Sequence, residues 1–112
     1  MSRDPALYLG DIVEACKRIE RIASGRSDEQ LISDELVRDA LLYNIVVIGE
    51  AASRVPPDVQ AKFPTIPWTR IKGMRNILAH EYFGVDQGLV LDTVRNKVVE
   101  LRRTLEAALS KR

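Results

Sequence analysis

The two residue types that most often carry enzyme chemistry are almost missing from this chain: among 112 residues there is one cysteine, Cys16, and one histidine, His80. A lone cysteine excludes an internal disulfide, and one imidazole with one thiol cannot supply the three or four ligands that a zinc or iron centre takes from a chain. No metal site is expected. Aromatic residues make up 5% of the sequence, too few for the stacking platforms on which single-strand binders lay successive bases. Neither sign of charge is in excess: 17 Lys and Arg face 16 Asp and Glu, so any contact with nucleic acid has to come from a local patch. No apolar run approaches the roughly 20 residues of a membrane span, and no apolar stretch of the leader-peptide kind follows the charged Ser2-Arg3-Asp4 start. A chain with an unpaired thiol and no membrane segment is expected in a reducing cytoplasm. The six glycines are scattered, which leaves no phosphate-cradling loop, and there is no Gly-x-Ser-x-Gly elbow. A Cys or Ser nucleophile would need a base, and the only histidine is far in sequence from Cys16. Glu81 and Asp86 sit at a helix end, where solvated acids are common, and make a poor acid-base pair.

What remains is helical periodicity. The length suits one domain, 1–112, with a single shared core. After Pro5, which a first helical turn tolerates, Leu9, Ile12, Cys16, Ile19 and Ala23 recur at steps of three and four, predicting a helix that ends near Gly25. Ser27 or Asp28 caps a short helix whose apolar pattern runs through Leu31, Ile32, Leu36 and Val37. It leads into a long helix, nearly all apolar from Ala40 to Ala52, which must be covered on most sides by its own bundle or a second subunit. Pro56-Pro57 ends that helix, Asp58 to Phe63 are expected to form one or two turns, and Pro64 and Pro67 make a rigid connector to Trp68. A helix from about Pro67 to Phe83 follows, with Gly84 suited to the residue beyond its end. The final helix starts near Asp86 or Gly88 and carries Leu91, Val94, Val98, Leu101, Leu105 and Ala108 on one stripe. No strand signal competes. The expected fold class is all-α, an up-and-down bundle of four long helices with short extra helices.

Arg75, Asn76, His80 and Tyr82 interrupt a helix whose other positions, Ile71, Met74, Ile77, Leu78 and Phe83, are apolar. At 100° per residue Asn76 and His80 stand one turn apart on one face, while Arg75 and Tyr82 share a face roughly 140° from His80, within reach of arginine's long arm. Polar groups so placed are costly if buried without purpose. The competing reading is structural: a histidine in a last helical turn interacts well with the helix dipole, a helical arginine commonly lies in solvent, and a tyrosine near a helix end commonly packs its ring.

The run from Trp68 to Gly84, Trp-Thr-Arg-Ile-Lys-Gly-Met-Arg-Asn-Ile-Leu-Ala-His-Glu-Tyr-Phe-Gly, resembles the signature of HepT-like proteins of the HEPN superfamily. Their pattern is an arginine, a polar residue, three more residues and a histidine, with a tyrosine two positions on. The resemblance extends to Ile48-Gly49-Glu50-Ala51, to the Phe63-Pro64-x-Ile66-Pro67-Trp68 connector and to Ile19-Glu20-Arg21-Ile22, so it covers nearly the whole chain. One departure is the lack of a tryptophan around Leu91 in the last helix, a matter of packing.

The resemblance implies an HEPN-type fold and the toxin of a two-gene toxin–antitoxin system. Such a toxin is a homodimer in which two Arg-to-His motifs face each other and cut RNA without a metal. Its partner would be a small nucleotidyltransferase antitoxin of the MNT type, which uses ATP to place AMP on the motif tyrosine, here Tyr82. The chain itself would need no cofactor. The chemistry agrees with the dimer: cleavage through the RNA 2′-hydroxyl needs a base, an acid and positive charge on the phosphorane. A twofold axis supplies the second imidazole, although one histidine acting twice in succession is the other route. In this scheme His80 is the acid or base, Arg75 holds the scissile phosphate, Asn76 orients either, and Arg70 and Lys72 hold flanking phosphates. Asn44 and Glu50, polar within the apolar helix, either support the site or form a satisfied buried pair. The alternative function is a non-catalytic subunit that presents a binding or substrate surface to the nucleotidyltransferase.

Overall fold

Asp4 and Pro5 start the first helix together. The Asp4 carboxylate accepts the Ala6 N–H at 2.9 Å, and Pro5 fills a first-turn position whose N–H would have no partner in any case. In this computed structural model, which describes residues 3–80 and 87–111 with the side chains of 74 and 76–80 excepted, that helix, α1, spans Pro5–Ala23. Gly25 follows it in the left-handed conformation (φ 75°), which glycine adopts without a steric penalty. Ser27 and Gln30 form a reciprocal capping box that opens α2, Asp28–Ser33.

Helix α3 runs over Glu35–Ser53, five residues longer at its start than the apolar run from Ala40 suggests. The cause is Asp34, whose carboxylate accepts the N–H groups of both Leu36 and Val37 and sets a cap where the apolar pattern gives no sign of one. Leu36 consequently belongs to α3 and is 82% exposed, although its spacing places it with the core. Helix α4, Pro57–Gln60, is a single turn. The Trp68 indole donates to the Gln60 and Phe63 carbonyls at 3.1 and 3.2 Å, and its ring meets Phe63 edge-on. The proline-rich connector is thereby folded back on itself, and α5, Trp68–His80, starts from a buried residue.

The last long helix is composite. α6 (Gln87–Asp92) passes through a π-helical turn, Thr93–Lys97, into α7 (Val98–Ser110). A step-of-three-and-four pattern cannot reveal that wide turn, because Val90, Val94, Val98 and Leu105 remain buried across it. Within the turn Arg95 reaches back to the carbonyls of Ala23 and Arg26 and to the Asp28 carboxylate, tying the end of α1 and the start of α2 to the C-terminal helix.

Helix α1 lies between α3 and α7, and α5 packs on α3. The centre consists of Ile12, Cys16 and Ile19 from α1, Leu31 from α2, Leu41 and Ile45 from α3, and Val94 and Leu105 from the composite helix. At the α1–α7 seam Arg102 grips Glu20 with two parallel hydrogen bonds (2.6 and 3.1 Å) and also bonds Glu106, which pairs with Lys17 at 2.8 Å. The architecture is the all-α bundle of four long helices with short extra ones that the pattern predicts, and the described residues contain no strand. Among them, no helix is long and apolar enough to cross a membrane.

Candidate functional site

The position of Arg75 follows from a glycine on the neighbouring helix. Gly49 sits where α3 crosses α5, and a Cβ there would come within 3.1 Å of the Arg75 Cβ and 3.2 Å of the Ile71 carbonyl oxygen. With no side chain in the way, the two backbones approach closely and the Arg75 stem lies flat on α3. One terminal nitrogen of the guanidinium donates to Oε1 of the adjacent Glu50 and to Oγ of Ser53, about one turn further along α3, both at 3.1 Å. The Ser53 hydroxyl donates in turn to the Glu50 carbonyl at 2.6 Å, which aims its lone pair at the arginine.

The Arg75–Glu50 pair is half-exposed, so its contribution to stability is small, and its effect is on direction. Two contacts on one nitrogen fix the orientation of a long side chain, and among the described residues the rest of the guanidinium is uncommitted. A half-buried, planar cation with free N–H groups is suited to an anionic, tetrahedral ligand such as a phosphate.

Of the residues the sequence singles out, the structure joins Arg75 and Glu50 and adds Ser53 and Gly49, which the motif does not contain. A signal for Ser53 exists: it stands three residues after Glu50, within about 60° of it on the helix. Asn44 is not joined to this group by any hydrogen bond. It lies about 120° round α3 from Glu50, is 5% exposed, donates from Nδ2 to the Ala40 carbonyl at 2.8 Å, and keeps its buried Oδ1 without a partner among the described residues. Arg70 is exposed and Lys72 half-exposed on the first turns of α5, and neither makes an ion pair among the described residues. The backbone of Asn76 and His80 belongs to α5, but their side chains lie outside the described residues, as does Tyr82 entirely.

Cys16 is a core residue. Burial, with a smaller contribution from the Glu20 charge, pushes its thiol up to about 12, far from the range of a reactive thiolate. Among the described residues no three His, Cys, Asp or Glu side chains converge as metal ligands would.

Comparison with known proteins agrees with this geometry. Residues 12–108 match the family described as Ribonuclease HepT-like. A protein of Thermococcus cleftensis, provisionally named as ribonuclease HepT, is 34% identical over 106 residues that cover 95% of this chain and 96% of the relative. One of Caldanaerobacter subterraneus, provisionally named as an RNase, is 31% identical over 109 residues, or 97% of each chain. A protein of Methanocaldococcus jannaschii whose name couples a gamma-glutamylcyclotransferase to a provisional RNase is 31% identical over 105 residues, and the match spans 47% of it. No solved structure matches the chain. A helical bundle with an arginine fixed at a helix crossing, on the helix that continues to His80, and a match from residue 12 to residue 108 place this chain in the HepT-like ribonuclease family.

Proposed function

We propose that this chain is the toxin of a two-gene toxin–antitoxin system, a metal-independent endoribonuclease that works as a homodimer and is silenced by AMP on Tyr82. The observation that carries the reading is the Arg75 guanidinium, oriented by Glu50 and Ser53 with its remaining donors unpaired among the described residues, five residues before the chain's only histidine.

In the reaction, a base takes the proton of the RNA 2′-hydroxyl and O2′ attacks the adjacent phosphorus. The P–O5′ bond then breaks and an acid protonates the departing O5′, leaving a 2′,3′-cyclic phosphate and a 5′-hydroxyl. His80 from each of two subunits supplies the base and the acid. Arg75 binds the non-bridging oxygens as negative charge grows on them, which is where a fixed cation lowers the barrier most. Asn76, one turn before His80 on the same face, orients the imidazole or the phosphate, and Arg70 and Lys72 hold flanking phosphates. AMP on the Tyr82 hydroxyl, added from ATP by a nucleotidyltransferase antitoxin of the MNT type, carries its own phosphate to the place where RNA phosphate binds.

The test is cleavage of RNA by the purified chain in the presence of EDTA. Wild type is expected to produce cyclic-phosphate ends, and His80→Ala to be inactive with unchanged helicity. Full activity of His80→Ala refutes the mechanism. A wild type with no cleavage at all makes the chain a binding subunit of the nucleotidyltransferase. Intact mass after expression with the partner enzyme is expected to show one added AMP, and Tyr82→Phe none.

A further inference from the structure

The formal charge of +1 is spread unevenly along the chain. Residues 54–75, which lead from the end of α3 through α4 and the connector into α5, hold five Lys and Arg (Arg54, Lys62, Arg70, Lys72 and Arg75) against one acid, Asp58. Residues 26–39, at α2 and the start of α3, hold two arginines against five acids, and Arg95 takes only one of these, Asp28. Helix α3 is about 28 Å long and joins the two segments, so the bundle has a basic end and an acidic end.

The basic end adjoins Arg75. Because the chain turns back through α4 and the connector, the first turns of α5 lie beside the last turns of α3. Arg54 follows Ser53 directly and stands one turn beyond Glu50, with which it lines one open groove. Lys72 stands three residues before Arg75, within about 60° of it on α5. Lys62 is exposed on the turn after α4. Arg54, Lys62, Arg70 and Lys72 make no ion pair among the described residues, and all but the half-exposed Lys72 are exposed. Glu50 lies here too, but its carboxylate is engaged by Arg75.

The make-up of this end selects its ligand. The large apolar side chains most open to solvent among the described residues are Leu7, Leu36, Tyr43 and Leu89, and none falls within residues 54–75. The basic end therefore lacks the apolar anchors of a protein interface. Trp68 is buried and Phe63 packs edge-on against it, which leaves no open ring for a base to stack on. What this end offers is spaced cations with the exposed Thr65 and Thr69 among them, groups that hold phosphates whatever the base. We infer that the RNA strand flanking the scissile phosphate runs over this end, with Arg54 and Lys62 holding its phosphates beside Lys72 and Arg70. RNA enters from here because the acidic end repels it. The inference rests on the ribonuclease reading above and adds to it two residues and a direction of approach.

The test is the affinity of the His80→Ala chain, as an uncut parent, for a short single-stranded RNA between about 50 and 200 mM salt. In that parent Arg54→Ala combined with Lys62→Ala, two exposed positions outside the core, is expected to weaken binding about 20-fold near 0.1 M salt. The slope of log Kd against log salt is expected to fall by about 1.4, the share of two phosphate contacts on a single strand. Arg103→Ala, exposed on α7, is expected to change neither. An unchanged affinity and slope in the double variant, or an equal loss from Arg103→Ala, overturns the track and leaves the nuclease reading to its own cleavage assay. A parent that binds no RNA, with a wild type that cuts none, overturns both. A double variant that binds RNA as its parent does but no longer holds the nucleotidyltransferase reassigns the basic end to that partner and refutes the track.

Discussion

Among the described residues Arg75 commits one nitrogen to its own protein and leaves the others open to a ligand, and this division makes a specific demand on its chemistry. A lysine has three donors on a single atom, so it cannot hold Glu50 and Ser53 from one corner while presenting a flat fork to a phosphate from another. Arg75→Lys is therefore expected to keep the fold and lower kcat/KM for RNA by about 10²–10³-fold, the cost of losing one fixed donor to developing charge, as measured by cleavage under single-turnover conditions. Recovery of near wild-type activity would show that Arg75 acts only as a point charge. At this scale the sequence was partly legible. Arg75 and Glu50 stand out as polar interruptions of apolar helices, but their mutual contact crosses 25 positions and no local spacing encodes it. Ser53 escaped notice because a serine near a helix end usually has a local role.

At the scale of helices, the α3–α5 crossing depends on an absent side chain. Gly49 permits a close separation, and both atoms that a Cβ would crowd, the Arg75 Cβ and the Ile71 carbonyl, belong to α5, so α5 has to give way there to admit a side chain. Gly49→Val is expected to cost about 2 kcal/mol by overpacking, seen as a lower midpoint in chemical denaturation, and to reduce RNA cleavage further by displacing Arg75 from Glu50 and Ser53. A fully stable Gly49→Val protein would mean that the crossing is looser than described. The helices themselves were mostly predictable because apolar residues at steps of three and four mark a buried stripe whatever the partner. Two features were not. The Asp34 cap moves the start of α3 away from the apolar run, and the π turn at Thr93–Lys97 leaves the buried pattern unbroken while adding width to the ladder.

At the scale of the whole molecule, the proposed composite site makes each subunit depend on the imidazole of the other. Wild type mixed with an equal amount of His80→Ala and allowed to exchange is expected to show roughly a quarter of the activity of the same total amount of wild type, because about one dimer in four then holds two wild-type subunits and so both imidazoles. Half of that activity, with exchange verified by native mass, would indicate that each chain cuts alone.

The straps from the last helix to the first have a consequence in time as well as in space. Arg95 reaches Asp28 across 67 positions and Arg102 reaches Glu20 across 82, and α1 lies against α7 along its length. During synthesis α1 meets α3 early, but its other side is covered only when α7 has been made, so the bundle closes last along the α1–α7 seam. The motif helix α5, made in between, spends that interval on an unfinished scaffold. If this chain cuts RNA as proposed, its site is complete only once α7 has been made.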